Sequence, residues 1–73
     1  MKNSPSITKF SIETTEGYFV AFLDNGGVRI GLKGFDCFDF PLGHTKFQTV
    51  VSLQPSCVEN YYDELYGATL YSN

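Results

Sequence analysis

Apolar and polar residues alternate at the start of the chain with the two-residue period of a half-buried β-strand. Over residues 7–14, Phe10 and Ile12 point to one side of this strand and polar residues point to the other. The polar stretch before it contains Pro5, which interrupts regular structure. Residues 1–6 are therefore predicted to be a flexible segment that precedes a single domain over residues 7–73.

Two β-prone runs, residues 18–23 and 28–33, flank the turn sequence Asp24-Asn25-Gly26-Gly27 and predict a β-hairpin. Asn-Gly is typical of a two-residue type I′ loop because both central residues need positive φ. The resulting cross-strand pairs are Leu23–Val28, Ala21–Ile30 and Phe19–Leu32 on an apolar face, with Phe22–Arg29 and Tyr18–Lys33 as cation–π pairs on the other. A three-residue loop would shift the register and exchange the faces, and the second Gly leaves that alternative open.

Residues 35–40 continue the pattern as a third member of a β-meander, which Pro41 ends. Residues 45–53 fit two structures. Their alternation fits a strand, whereas Phe47, Val50 and Val51 also fit one face of a helix. The β-branched run at residues 49–51 favours the strand.

A C-terminal helix is predicted from apolar residues at helical spacing, namely Val58, Tyr61, Tyr62 and Leu65. Ser56 and Glu59 form a capping-box pattern at its start. Gly67 stands where a helix C-cap belongs, so residues 68–71 are expected to form a short strand or an ordered tail. The fold class predicted is α+β: a small antiparallel sheet of three to five meandering strands with one C-terminal helix packed on it.

Composition adds two facts to this picture. Aromatic residues make up 16% of the chain, more than so small a core requires, so some rings are expected at the surface. The net charge is −3, and it is unevenly distributed: residues 1–46 carry five acids and five bases, whereas residues 47–73 carry acids and no base. A surface of this kind disfavours nucleic acid and anionic lipid and favours a basic protein. The alternative is an ordinary solvated face that keeps the protein soluble.

No spacing of residues indicates catalysis, a cofactor or a metal site. His44 is the single histidine, and its position relative to Cys37, Cys57 and the carboxylates suggests no catalytic arrangement. Whether the two cysteines pair is left open, and the polar N-terminus without an apolar leader favours the cytoplasm. Gly31, inside a strand, indicates either a β-bulge or room for a neighbouring ring.

The function predicted is that of a non-enzymatic protein-binding domain, an inhibitor or adaptor that docks on a basic surface of a larger protein. The residues predicted to make the contact are Asp36, Asp39, Glu59, Asp63, Glu64 and Tyr66. In size and charge the chain is similar to small phage-encoded inhibitors of host defence, such as anti-CRISPR-type proteins; the similarity involves no particular residues. A homo-oligomeric structural or accessory subunit is the alternative.

Overall fold

The computed structural model describes residues 5–71, with side chains as far as residue 69. Its elements are β1 (Ile7–Glu13), β2 (Tyr18–Leu23), β3 (Val28–Leu32), β4 (Cys37–Phe40), α1 (Phe47–Val51) and α2 (Pro55–Tyr71). The strands pair antiparallel in the order β1-β2-β3-β4. The predicted α+β class, with a meander sheet and a C-terminal helix, is therefore confirmed.

Both helices pack on the same face of the sheet. Alternate residues of β2, β3 and β4 point to that face, as the period of two requires. In β1 a register shift between Phe10 and Ile12 interrupts the alternation: Ile12 packs against the helix-side core and Phe10 against Phe19 on the other face, so the prediction that both point to one side is wrong. The buried cluster between sheet and helices consists of Val20, Val28, Ile30, Phe40, Phe47, Val50, Val58 and Tyr62. Because α1 and α2 both contribute to this cluster, the sheet is covered by two helices where the sequence predicted one.

Of the two registers considered for the β2–β3 hairpin, the two-residue loop is wrong by one residue and the three-residue alternative is confirmed. The loop has three residues, because the Leu23 N–H bonds to the Gly27 carbonyl at 2.9 Å and Gly26 has a φ of +91°. Val20 consequently faces Ile30. Tyr18 and Phe22 face Leu32 and Val28, so the predicted cation–π pairs are absent, and Arg29 instead faces Ala21 and Asp39.

A long-range contact accounts for the second Gly of the turn. A Cβ on Gly27 would lie 2.8 Å from the Phe40 carbonyl oxygen of β4. The Gly27 N–H also donates to the Asn25 side chain at 2.9 Å. The second Gly of the turn is therefore required at the first residue pair beyond the loop, where a larger residue would collide with the neighbouring strand.

The preference for a strand at residues 45–53 is also wrong, since α1 occupies Phe47–Val51. Phe47 and Val50 are buried and Val51 is half-buried, so burial at helical spacing outweighs the strand propensity of the β-branched residues. No side chain caps this helix at its N-cap, Lys46. The Lys46 N–H instead donates to Nδ1 of His44 at 3.0 Å.

Both predicted ends of α2 require correction. The helix begins at Pro55, which places Ser56 within the first turn and not at the N-cap. It also continues through Gly67 to Tyr71, so residues 68–71 are helical. The predicted apolar face is confirmed: Val58 and Tyr62 are buried, and Tyr61 and Leu65 are half-buried.

Gly26 provides a test of the hairpin geometry. A Cβ at Gly26 would meet nothing within 4 Å, so Gly26→Ala is opposed only by its positive φ. We expect the free energy of unfolding in urea to fall by about 1–2 kcal/mol.

Gly67→Ala is the matched control, because its Cβ would also meet nothing within 4 Å but the residue lies inside a helix. The free energy of unfolding of that variant should rise by about 0.5–1 kcal/mol. Equal effects of the two substitutions would contradict the assigned turn.

Candidate protein-binding surface

Tyr62 fixes the position of α2 on the sheet. Its hydroxyl donates to the backbone carbonyl of Asp36 at 2.6 Å. Its ring makes an edge contact with Tyr18 and a tilted contact with Phe38, each with centroids 5.6 Å apart, and Tyr66 stacks on it at 6.0 Å. Burial raises the pKa of the Tyr62 hydroxyl, and the nearby Asp36 carboxylate raises it further.

Three carboxylates act electrostatically on the hydroxyl of Tyr18. Glu59 and Asp63 lie one turn apart on α2, and Glu16 lies in the turn before β2. The Tyr18 hydroxyl makes a long hydrogen bond of 3.5 Å to Asp63 Oδ1. Burial raises the pKa of Tyr18, and the charges of Asp63, Glu59 and Glu16 raise it further. We call Glu16, Glu59 and Asp63 the acidic cluster.

The sequence prediction included two members of this cluster but missed Glu16. Glu16 is exposed in the turn two residues before Tyr18, and no sequence pattern linked it to α2. Of the other predicted contact residues on α2, Glu64 is exposed and lies about 100° around the helix from Asp63. Tyr66 is half-buried against Tyr62.

The remaining two predicted contact residues belong to β4 and have different environments. Asp39 forms a bidentate ion pair with Arg29, with distances of 2.6 Å to Nε and 2.8 Å to Nη2. Hydrogen bonding to Asp39 raises the pKa of the Arg29 guanidinium against the opposing effect of burial. Asp36 is exposed just before the strand, with its backbone carbonyl held by Tyr62. The structure thus places Glu59 and Asp63 in one cluster, whereas Asp39 is engaged by Arg29 on the sheet.

The N-terminal segment makes two backbone contacts with the hairpin. The Arg29 guanidinium donates to the Pro5 carbonyl at 3.4 Å, and the Asp24 N–H donates to the Ser6 carbonyl at 2.9 Å. Residues 1–4 of the predicted flexible segment lie outside the described residues.

The groups that could carry chemistry are dispersed. His44 is exposed, and its ring lies 5.1 Å from that of Phe40, where it supports the start of α1. Cys37 and Cys57 are both free and exposed. Within the described part of the chain, no three His, Cys, Asp or Glu residues are placed to hold a metal ion.

An open groove of about 480 Å³ runs between β4 and the C-terminal part of α2. Its lining is Cys37, Phe38, Asp39, Phe40, Lys46, Leu65, Ala68 and Thr69. Two strongly exposed apolar side chains, Phe35 at 65% and Leu42 at 71%, lie just before and just after β4 in the chain. We call the groove with the lining residues given above the β4 groove; Phe35 and Leu42 are not part of its lining.

No helix among residues 5–71 combines the length and the apolar character needed to cross a membrane. Comparison of the chain with protein-family models, with curated proteins and with solved structures gives no match.

Proposed function

We propose that this chain is a non-enzymatic protein-binding domain that docks on a basic surface of a larger protein and acts as an inhibitor or adaptor in the cytoplasm. The observation that supports this proposal most is the acidic cluster. All three of its carboxylates act on the Tyr18 hydroxyl, Asp63 from 3.5 Å, and Glu59 and Asp63 belong to a helix in a segment that contains no base.

The physical argument starts from self-repulsion. Like charges on neighbouring residues repel one another and cost folding free energy. Lys and Arg side chains of a partner would relieve that repulsion on binding and would also accelerate association through long-range attraction. A basic surface that otherwise binds nucleic acid has the required charge, so occlusion of such a site is the form of inhibition we propose.

Tyr66 is the aromatic contact residue of the proposed surface. It is half-buried and stacks on Tyr62, so its ring is held in place before any partner arrives. A preorganised ring loses little conformational entropy on binding, which is why Tyr is frequent among residues that dominate binding free energy. Exposed Glu64 extends the proposed surface around the helix.

Charge reversal tests the proposal. We expect the double variant Glu59→Lys, Asp63→Lys to bind the partner with an association rate at least about tenfold lower at low salt, and with a weaker salt dependence. The partner would first be captured from lysate of the source cells by the unmodified chain, and then purified for stopped-flow kinetics.

The matched control is Glu13→Lys, Asp24→Lys, which changes net charge equally at two exposed acids outside the cluster. Circular dichroism would establish that both double variants are folded. Equal slowing by the two pairs would mean that net charge alone drives binding, and the acidic cluster would not be the contact surface.

A further inference from the structure

The outer edge of β4 presents backbone groups that no other strand among residues 5–71 uses. Gly27 and Leu23 form a hydrogen-bonded pair, so odd-numbered residues of β3 bond towards β2 and even-numbered ones towards β4. Since Ile30 pairs with Phe38, the even-numbered residues of β4 bond inwards. The N–H and C=O groups of Cys37 and Asp39 therefore point outwards, and Pro41 ends the series because it has no N–H.

We propose that this edge pairs with β4 of a second copy of the chain, in an antiparallel register centred on Phe38, so that two sheets join into one of eight strands. In this register Cys37 of each copy lies opposite Asp39 of the other. Two such hydrogen-bonded pairs exchange four N–H···O bonds, which use every outward group of Cys37 and Asp39 in both copies. The contact is the same on both sides, as a twofold axis requires.

Charge complementarity favours a second copy over an unrelated strand. The register places Asp36 of one copy opposite Phe40 of the other, and Lys46 lines the β4 groove together with Phe40. Asp36 immediately precedes the strand; its carbonyl accepts from the Tyr62 hydroxyl and its charge acts on that hydroxyl, which places Asp36 beside the helix-covered face, where α1 and its N-cap Lys46 also lie. The twofold axis therefore creates two Asp36–Lys46 ion pairs between the copies.

The remaining charge of the edge does not oppose this pairing. Asp39 is the acid within β4, and its carboxylate is already neutralised by Arg29 of the same chain. Phe38 of each copy meets its counterpart across the axis beside the apolar wall formed by Leu65 and Ala68. Phe35 and Leu42, exposed near opposite ends of β4, lie from different copies at the same end of the joined sheet.

A charge swap tests the proposal. Sedimentation equilibrium of the full chain at 0.15 M salt, from about 10 µM to about 1 mM, suits an interface this small. We expect a concentration-dependent mass that rises from 8.2 kDa towards twice that value. Asp36→Lys or Lys46→Asp alone should raise the dissociation constant of the dimer about tenfold. Each variant places like charges opposite each other, and the twofold axis repeats that repulsion.

The double variant Asp36→Lys, Lys46→Asp should restore the original dissociation constant, which a nonspecific charge effect would not do. Glu13→Lys, an equal charge change at an exposed residue of β1 on the opposite edge of the sheet, is the control and should leave the constant within about twofold. A mass of 8.2 kDa throughout the concentration range would overturn the proposal. A dimer that both single variants leave unchanged would overturn it equally, because the contact would then be elsewhere.

Discussion

Replacing Tyr62 with Ala is expected to lower the free energy of unfolding by about 3–5 kcal/mol, the usual cost of deleting a buried aromatic side chain. The Tyr62 side chain is 3% exposed and contacts the rings of Tyr18, Phe38 and Tyr66. A domain of this size has a total stability of about 4–11 kcal/mol. The substitution therefore removes much of it, and urea unfolding monitored by circular dichroism would measure the loss.

Two further variants separate the ring from the hydroxyl. Tyr62→Phe keeps the ring and removes the 2.6 Å bond to the Asp36 carbonyl. Because Asp36 is exposed and its carbonyl can be hydrated, we expect a loss near 1 kcal/mol. Tyr61→Phe, the same change at the half-buried neighbour, should be nearly neutral. A loss below about 1 kcal/mol for Tyr62→Ala would show that Tyr62 does not hold α2 on the sheet.

The buried face of α2 depends on local periodicity and could be predicted from the sequence. The spacing of Val58, Tyr61, Tyr62 and Leu65 commits these side chains to one face of a helix, and the structure buries that face. The ends of α2 could not be predicted in the same way. Pro55 is compatible with the first turn of a helix as well as with the loop before it. Gly67 remains helical because the helix continues past it, although an isolated Gly at that position resembles a C-cap.

The second Gly of the turn and the identity of α1 depend on distant residues. Gly27 is required by the Phe40 carbonyl, thirteen positions later, and no property of the turn sequence reports that contact. Residues 47–51 are helical because Phe47 and Val50 fill space over β3, whereas their local propensities favour a strand. The acidic cluster also depends in part on distant residues. Glu59 and Asp63 are one helical turn apart and could be predicted from the helix, whereas Glu16 is more than forty positions earlier in the chain.

Replacing Gly31 with Val is expected to destabilise the protein by about 2–3 kcal/mol, although Val suits a strand far better than Gly. Gly31 lies within β3, where an added Cβ would come within 2.7 Å of Cys37 Cβ and 2.8 Å of Phe19 Cζ. The propensity gain is about 1 kcal/mol, and overpacking a filled site costs about 1–3 kcal/mol or more, with the γ-methyl groups adding to the clash. The clash should therefore outweigh the gain in strand propensity. The sequence allowed either a β-bulge at Gly31 or room for a neighbouring ring, and the structure confirms the room for a ring, that of Phe19.

A double-mutant cycle of Gly31 and Phe19 tests whether the Phe19 ring is what excludes a side chain at position 31. Phe19 is 8% exposed and packs edge-on against Phe10 at 5.6 Å on the sheet face opposite the helices. Phe19→Leu should cost stability alone, yet cost less in the presence of Gly31→Ala, because the shorter side chain leaves space for the new methyl group. Urea unfolding of the four proteins in this double-mutant cycle should give a favourable coupling of about 0.5–3 kcal/mol. Strictly additive losses would mean that Cys37, and not Phe19, excludes a side chain at position 31.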